Sequence, residues 1–114
     1  MEFHDELKIT IHKYIKLIYE ISKEFPRDEI YGVTSQFRRA GISIMLNYIE
    51  GYARRKGDDS KVYKNFLQIS YGSLKETKYL LFFTFDQGYV EEKYYKKGLS
   101  LSDKIGKMLW CLIK

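Results

Sequence analysis

The 114-residue sequence holds one proline, one cysteine and one tryptophan. A single proline leaves almost nothing to interrupt a helix, so long elements are expected. A single cysteine excludes an internal disulfide and fits a reduced, cytoplasmic setting. In Leu109-Trp110-Cys111-Leu112 that cysteine reads as a small core hydrophobe. No run approaches the ~18 apolar residues of a membrane span, and the longest candidate, residues 79–85, is far too short. The acidic opening Met1-Glu2-Phe3-His4-Asp5-Glu6 lacks the apolar centre of a secretion signal. Gly-x-Ser-x-Gly, Cys-x-x-Cys, a phosphate-binding glycine loop and the inward Glu-x-x-His pairs of bundle iron sites are all missing. The expectation is therefore a protein that is not an enzyme and needs no cofactor and no metal.

What is present is aromatic and basic. Eleven Tyr and seven Phe bring the aromatic share to 17%, and 20 Lys and Arg stand against 15 Asp and Glu. That balance favours a binding protein over a catalyst. The charge is uneven: residues 1–32 carry a net −2, residues 33–64 a net +4 and residues 65–114 a net +3. At this length one domain is expected to cover residues 1–114.

Apolar residues recur at three- and four-residue steps through four segments, at about 5–25, 33–53, 60–86 and 91–113. The first stripe is Leu7, Ile11, Tyr14, Ile15, Ile18, Ile21, Ser22 and Phe25, stopped by Pro26. The second segment, capped by Thr34 or Ser35, carries two stripes. Val33, Phe37, Ala40, Gly41, Ile44 and Tyr48 face the core, whereas Ile42, Met45, Leu46, Ile49 and Ala53 need a second partner such as another subunit. Gly51 reads as its stop or bend. The third segment, N-capped by Ser60, places Val62, Phe66, Ile69, Ser70, Ser73, Thr77, Leu80, Leu81 and Thr84 on its stripe. Ser70, Gly72 and Ser73 would let a neighbouring helix come close, and Gly88 closes the segment. The fourth stripe is Tyr94, Gly98, Leu101, Ile105, Met108, Leu109 and Leu112. Four such helices with short connections make an all-α, antiparallel up-down-up-down four-helix bundle.

The middle of the chain carries a denser pattern: Phe25-Pro26, then Tyr31 through Ala40, Ser43-Ile44, Asn47, Glu50-Gly51-Tyr52-Ala53-Arg54-Arg55, Tyr63, Phe66-Leu67 and Gly72-Ser73-Leu74-Lys75-Glu76. Gly88-Tyr89 and Met108-Leu109 complete it. In order and spacing it closely resembles the four-helix-bundle family encoded by intervening sequences within bacterial 23S ribosomal RNA genes. It is also similar to the accessory variability determinant of diversity-generating retroelements. The resemblance runs from Leu7 to Ile113. It implies a ring-shaped homopentamer associated with nucleic acid, with structured RNA or DNA and a reverse transcriptase or another nucleic-acid enzyme as partners and no established catalytic residues; the short apolar runs add the expectation of no membrane partner. Many members have proline after the Ser-Ile pair, where this chain has Met45, so a kink there loses its usual cause. The tryptophan common near the start of many relatives is missing.

Candidate sites follow from the charge pattern. Arg54, Arg55, Lys56, Lys61 and Lys64 cluster around one connection and can capture phosphates without reading sequence. Tyr52 and Tyr63 beside them could stack on unpaired bases. The competing reading is a solvated, charged loop. Arg38, Arg39, Asn47, Glu50 and Glu76 read as a structural polar network in which an arginine pairs with Glu50 or Glu76. A catalytic Glu50 is the sharper alternative, but no nucleophile or metal set accompanies it. Tyr14, Tyr48 and Tyr94 are assigned to the core. Ile42, Met45, Leu46, Ile49, Tyr71 and Tyr79 are assigned to an oligomer interface, where tyrosine is enriched. Two functions stand side by side: a homo-oligomer that binds nucleic acid, and a scaffolding oligomer whose partner is another protein.

Overall fold

A computed structural model describes residues 2–114. Among them are four α-helices and no strand: α1 (Phe3–Ser22), α2 (Val33–Arg54), α3 (Lys61–Asp86) and α4 (Glu92–Ile113). A 3₁₀ turn, Arg27–Glu29, lies between α1 and α2. At 1.5 Å per residue the longest helix spans about 39 Å, which matches the 44 Å long axis of the molecule.

α1 ends at Ser22, three residues before its apolar stripe does. Glu24 and Phe25 donate to the carbonyls of Ile21 and Ser22, the tighter i→i+3 geometry of a helix end. Pro26 keeps Phe25 out of the α region. Phe25 still stays in the core, stacked on Phe37 and tilted against Tyr89. α2 starts behind Gly32 without the expected Thr34 or Ser35 cap. The Val33 amide instead points to Glu29 Oε1 at 3.5 Å. The helix runs through Met45 and Gly51 to Arg54, so Gly51 does not stop it. Ser60 Oγ accepts from the Tyr63 amide at 3.4 Å and opens α3 as expected. After α3, Gly88 takes φ +80° while the Tyr89 amide donates back to Thr84, a glycine-type helix end.

One core joins the helices. Leu7, Ile11, Tyr14 and Ile18 meet Phe37, Ile44 and Tyr48 of α2, Leu67, Leu74 and Leu81 of α3, and Ile105 and Leu109 of α4. Each helix packs on two neighbours, α1 on α2 and α4, α3 on α2 and α4, and the diagonal pairs do not touch along their backbones. Contacts between neighbours run in opposed numerical order. Arg39, Ser43 and Ile44 of α2 meet Glu76, Ser73 and Ser70 of α3, and Lys78 and Phe85 meet Asp103 and Tyr95 of α4.

The α3–α4 half departs from the expected stripes. The buried face of α3 is Tyr63, Leu67, Ser70, Leu74, Thr77, Leu81 and Thr84, while Val62 and Ile69 are exposed and Phe66 is half-buried. Two apolar rows lie one residue, or about 100°, apart on this helix. Close approach to α2 selects between them. Ser70 Oγ donates to the Ile44 carbonyl at 2.7 Å, and Ser43 and Ser73 hydroxyls meet at 2.8 Å. On the α2 side, a Cβ at Gly51 would stand 2.7 Å from Phe66 Cβ. Gly51, Ser70 and Ser73 are therefore the small residues of this contact. Gly72 is not, because nothing lies within 4 Å of where its Cβ would be. On α4, Tyr94 and Cys111 are exposed rather than buried, since the inward face is Gly98, Ser102, Ile105, Met108 and Leu109.

Candidate functional site

The basic cluster forms on the α2–α3 connection and the turns that flank it. Gly57 holds φ +106°, a left-handed conformation that glycine adopts without strain. This tight turn brings Asp58 back toward Arg55, and Asp59 lies beside Lys64 in the first turn of α3. Within residues 50–64 five cations face three carboxylates, and the acids engage three of the five. Arg54 Nε donates to Glu50 Oε1 at 2.7 Å, Arg55 Nη1 to Asp58 Oδ1 at 3.2 Å, and Lys64 Nζ stands 3.5 Å from Asp59. Lys56 and Lys61 are exposed and form no ion pair among the described residues. Exposed pairs such as these are worth about 0–1 kcal/mol, so an incoming phosphate can displace them.

The two aromatic residues assigned to base stacking are differently placed. Tyr63 is 1% exposed, deep beside Tyr52, and cannot present a ring to a ligand. Tyr63 belongs to the core row of α3 and not to a stacking surface. Its hydroxyl is buried with no hydrogen-bond partner among the described residues, and burial pushes its pKa up. Tyr52 is exposed, but the chain's own side chains occupy it. The Arg55 guanidinium lies 3.9 Å over its ring and donates to its hydroxyl at 2.8 Å, and His4 meets it edge-on at 4.8 Å.

His4 is a part of this end of the molecule that the sequence pattern did not flag. It comes from the first turn of α1 and hydrogen-bonds Tyr48 Oη of α2 through Nδ1. Burial, and then the nearby Arg55 charge, hold its pKa below 6.5, and which of the two groups donates is set by the imidazole tautomer. Desolvation likewise pushes the Tyr48 hydroxyl well up. The signal lay in Tyr48 and Tyr52, four residues apart on one helix face, but nothing along the chain points from them to residue 4.

The expected polar network separates into independent pieces. Arg39 Nη2 reaches Glu76 at 3.4 Å across the exposed α2–α3 seam. Glu50 faces Arg54 one turn on. Asn47 donates to Ser43, which meets Ser73. Arg38 meets no carboxylate among the described residues: its Nε donates to Ser22 Oγ at 2.8 Å and its guanidinium lies 4.8 Å over the Tyr19 ring. Of the residues assigned to an oligomer interface, Leu46, Ile49 and Tyr79 stand exposed and Ile42 is half-buried. Met45 and Tyr71 instead pack against the core.

Comparison with known proteins gives a family and a fold. The chain resembles a crystal structure from Bacteroides thetaiotaomicron VPI-5482, a protein of unknown function from the S23 ribosomal protein family. The TM-score is 0.82 at 24% identity, over 95% of this chain and 98% of that one. At that identity the likeness carries the fold alone. No curated protein matches this chain, and no helix among the described residues is long and apolar enough to cross a membrane. The family pattern of the 23S rRNA-intervening sequence protein matches residues 8–111, nearly the whole described chain, and the protein belongs to that family.

Proposed function

We propose that this chain is one subunit of a non-catalytic, cytoplasmic homopentamer that binds RNA or DNA backbone through a basic surface. The opposed order of contacts between neighbouring helices supports an up-down-up-down bundle within one domain. That topology puts the α2–α3 connection at one end. The outward row Ile42, Leu46 and Ile49 supports self-association, because a helix side with no partner inside the subunit gains by burying such residues against another copy. Repeated around a ring, the connection becomes a continuous basic rim.

The observation that carries the reading is the pair Lys56 and Lys61, exposed and unpaired among the described residues, beside Arg54 and Lys64 whose carboxylates are themselves exposed. Structured RNA should bind at low ionic strength and be released as salt rises, because phosphate contacts exchange with counterions. The triple variant Arg54→Glu, Lys56→Glu, Lys61→Glu should lose that binding while keeping its helix content. Absence of RNA and DNA binding by the wild-type protein at low salt would end the proposal. A monomer in sedimentation would end its oligomeric part.

A scaffolding oligomer with a protein partner is the second reading. Tyr79 and Phe82, two large exposed aromatics on the outer side of α3, favour it. A protein captured equally well after nuclease treatment would select that reading.

A further inference from the structure

The only tryptophan of the chain is not in its core. Trp110 stands 52% exposed on α4 and leans on Tyr71 of α3, ring centroids 5.8 Å apart and planes inclined at 44°. Beside this pair a groove of about 340 Å³ runs between α3 and α4. Leu74 and buried Ser102 contribute to its lining. Gly106 keeps one wall low: a Cβ there would meet only Leu74, at 3.4 Å.

Three ammonium groups and one carboxylate surround the groove. Lys78 Nζ takes Asp103 at 3.0 Å. Lys75 Nζ lies 5.1 Å from the Tyr71 ring centre, and Lys107 forms no ion pair among the described residues. The lining therefore keeps two cations in excess next to an exposed indole. An apolar helix would have to desolvate those ammonium groups. An acidic peptide would use the lysines and leave the rings idle. An unpaired nucleotide uses both: its base stacks on a π face, and its phosphate meets the lysines.

We propose that the α3–α4 groove holds an unpaired nucleotide of a single strand, its base against Trp110 and its phosphates among Lys75, Lys78 and Lys107. The inference rests on the nucleic-acid association proposed above and adds a second contact, on the side of the subunit rather than at its end. Single-stranded segments bind here, and blunt duplex does not, because its bases are already stacked.

Trp110, being the sole tryptophan, reports on the groove directly. Fluorescence of the full-length protein is titrated with oligouridylate, oligothymidylate, a blunt duplex, uridine monophosphate and polyglutamate, with strand binding followed in parallel by anisotropy of a labelled oligonucleotide. The single strands should quench Trp110. Trp110→Leu and Lys107→Glu should each weaken strand binding roughly tenfold, with Trp110→Phe, which keeps a ring on Tyr71, in between. Lys107 is exposed, so its variant tests the groove without disturbing the core. A strand that binds with no quenching and with unchanged affinity for Lys107→Glu overturns the groove and leaves the nucleic-acid reading standing. Binding of the duplex without binding of either strand overturns the groove alone, and no binding of strand or duplex at low salt overturns both. Quenching by uridine monophosphate at the same concentrations as the strand assigns the groove to free nucleotides and overturns the strand. Quenching by polyglutamate as strong as by either strand overturns it in favour of an acidic peptide.

Discussion

Tyr14 Oη donates to Thr77 Oγ1 at 2.9 Å, joining α1 to α3 across the core diagonal, where the two helices make no backbone contact. Thr77 in turn donates to the Leu74 carbonyl at 2.6 Å, so a buried polar relay crosses the bundle. Tyr14→Phe removes the donor and leaves Thr77 otherwise satisfied. A loss of about 1 kcal/mol is expected, read as a lower urea midpoint with unchanged slope.

The same hydroxyl sets an alkaline limit. Burial pushes the Tyr14 pKa from 10.0 to about 12, and Tyr48 and Tyr63 shift in the same direction. A raised folded-state pKa contributes stability in full below pH 10, and that stability is lost as pH climbs toward 12, because the unfolded chain releases the proton first. Unfolding should therefore accompany tyrosinate absorbance in that window. Tyr14→Phe should flatten the alkaline fall in stability.

Two glycines inside helices should respond to alanine with opposite signs. At Gly51 the new methyl would stand 2.7 Å from Phe66 Cβ and 3.3 Å from the Tyr63 carbonyl, neither of which is the end of a flexible side chain. Prising α2 from α3 should cost about 1–3 kcal/mol, more than alanine's gain in helix propensity. At Gly72 nothing lies within 4 Å, so alanine should stabilise by about 1 kcal/mol. Thermal midpoints of the two variants on either side of wild type would check both.

His4 makes the opposite kind of pH device. Its folded pKa lies below 6.5 because burial and Arg55 disfavour the cation. A histidine of this kind contributes stability above 6.5 and loses it as pH falls toward the folded value, since the unfolded chain takes up the proton first. Facing it are Glu2 and Lys8 of the chain start, Tyr48 and Tyr52 of α2, and Arg55 and Asp58 of the connection. Denaturation curves at pH values either side of 6.5 should converge for His4→Phe and diverge for wild type.

Tyr63 buries a hydroxyl without a partner among the described residues. Replacing it by phenylalanine keeps the ring and removes a desolvated oxygen. Tyr63→Phe should be neutral or stabilise by about 1 kcal/mol, and leave RNA binding intact, which thermal melting and a binding titration check together.

Much of the fold can be read along the chain. Periodicity placed four helices within a few residues of their ends, because a 3.6-residue repeat of apolar side chains with few breakers has one stable outcome. Family membership was legible for a related reason: its residues sit at spacings that serve this packing. From Ser70 onward most of the α3 stripe was legible, but the phase of the first turns of α3 was not. Val62, Phe66 and Ile69 compete with Tyr63, Leu67 and Ser70, and hydropathy alone prefers the first row.

The candidate site divides the same way. Charge clustering at residues 54–64 is a property of the sequence, and so is the surplus of tyrosine. Which cations remain available is decided in three dimensions. The Gly57 turn folds Asp58 back onto Arg55, Asp59 meets Lys64 ahead of it, and Arg55 covers the ring of Tyr52. Nothing along the chain couples Tyr71 to Trp110 or His4 to Tyr48, since each pair is brought together from separate helices. Local repeats specify which residues form helices, because that choice concerns neighbours one turn apart. Packing decides which faces meet, because close approach at Gly51, Ser70 and Ser73 rotates α3 to one row rather than the other and so sets which rings and charges reach the surface.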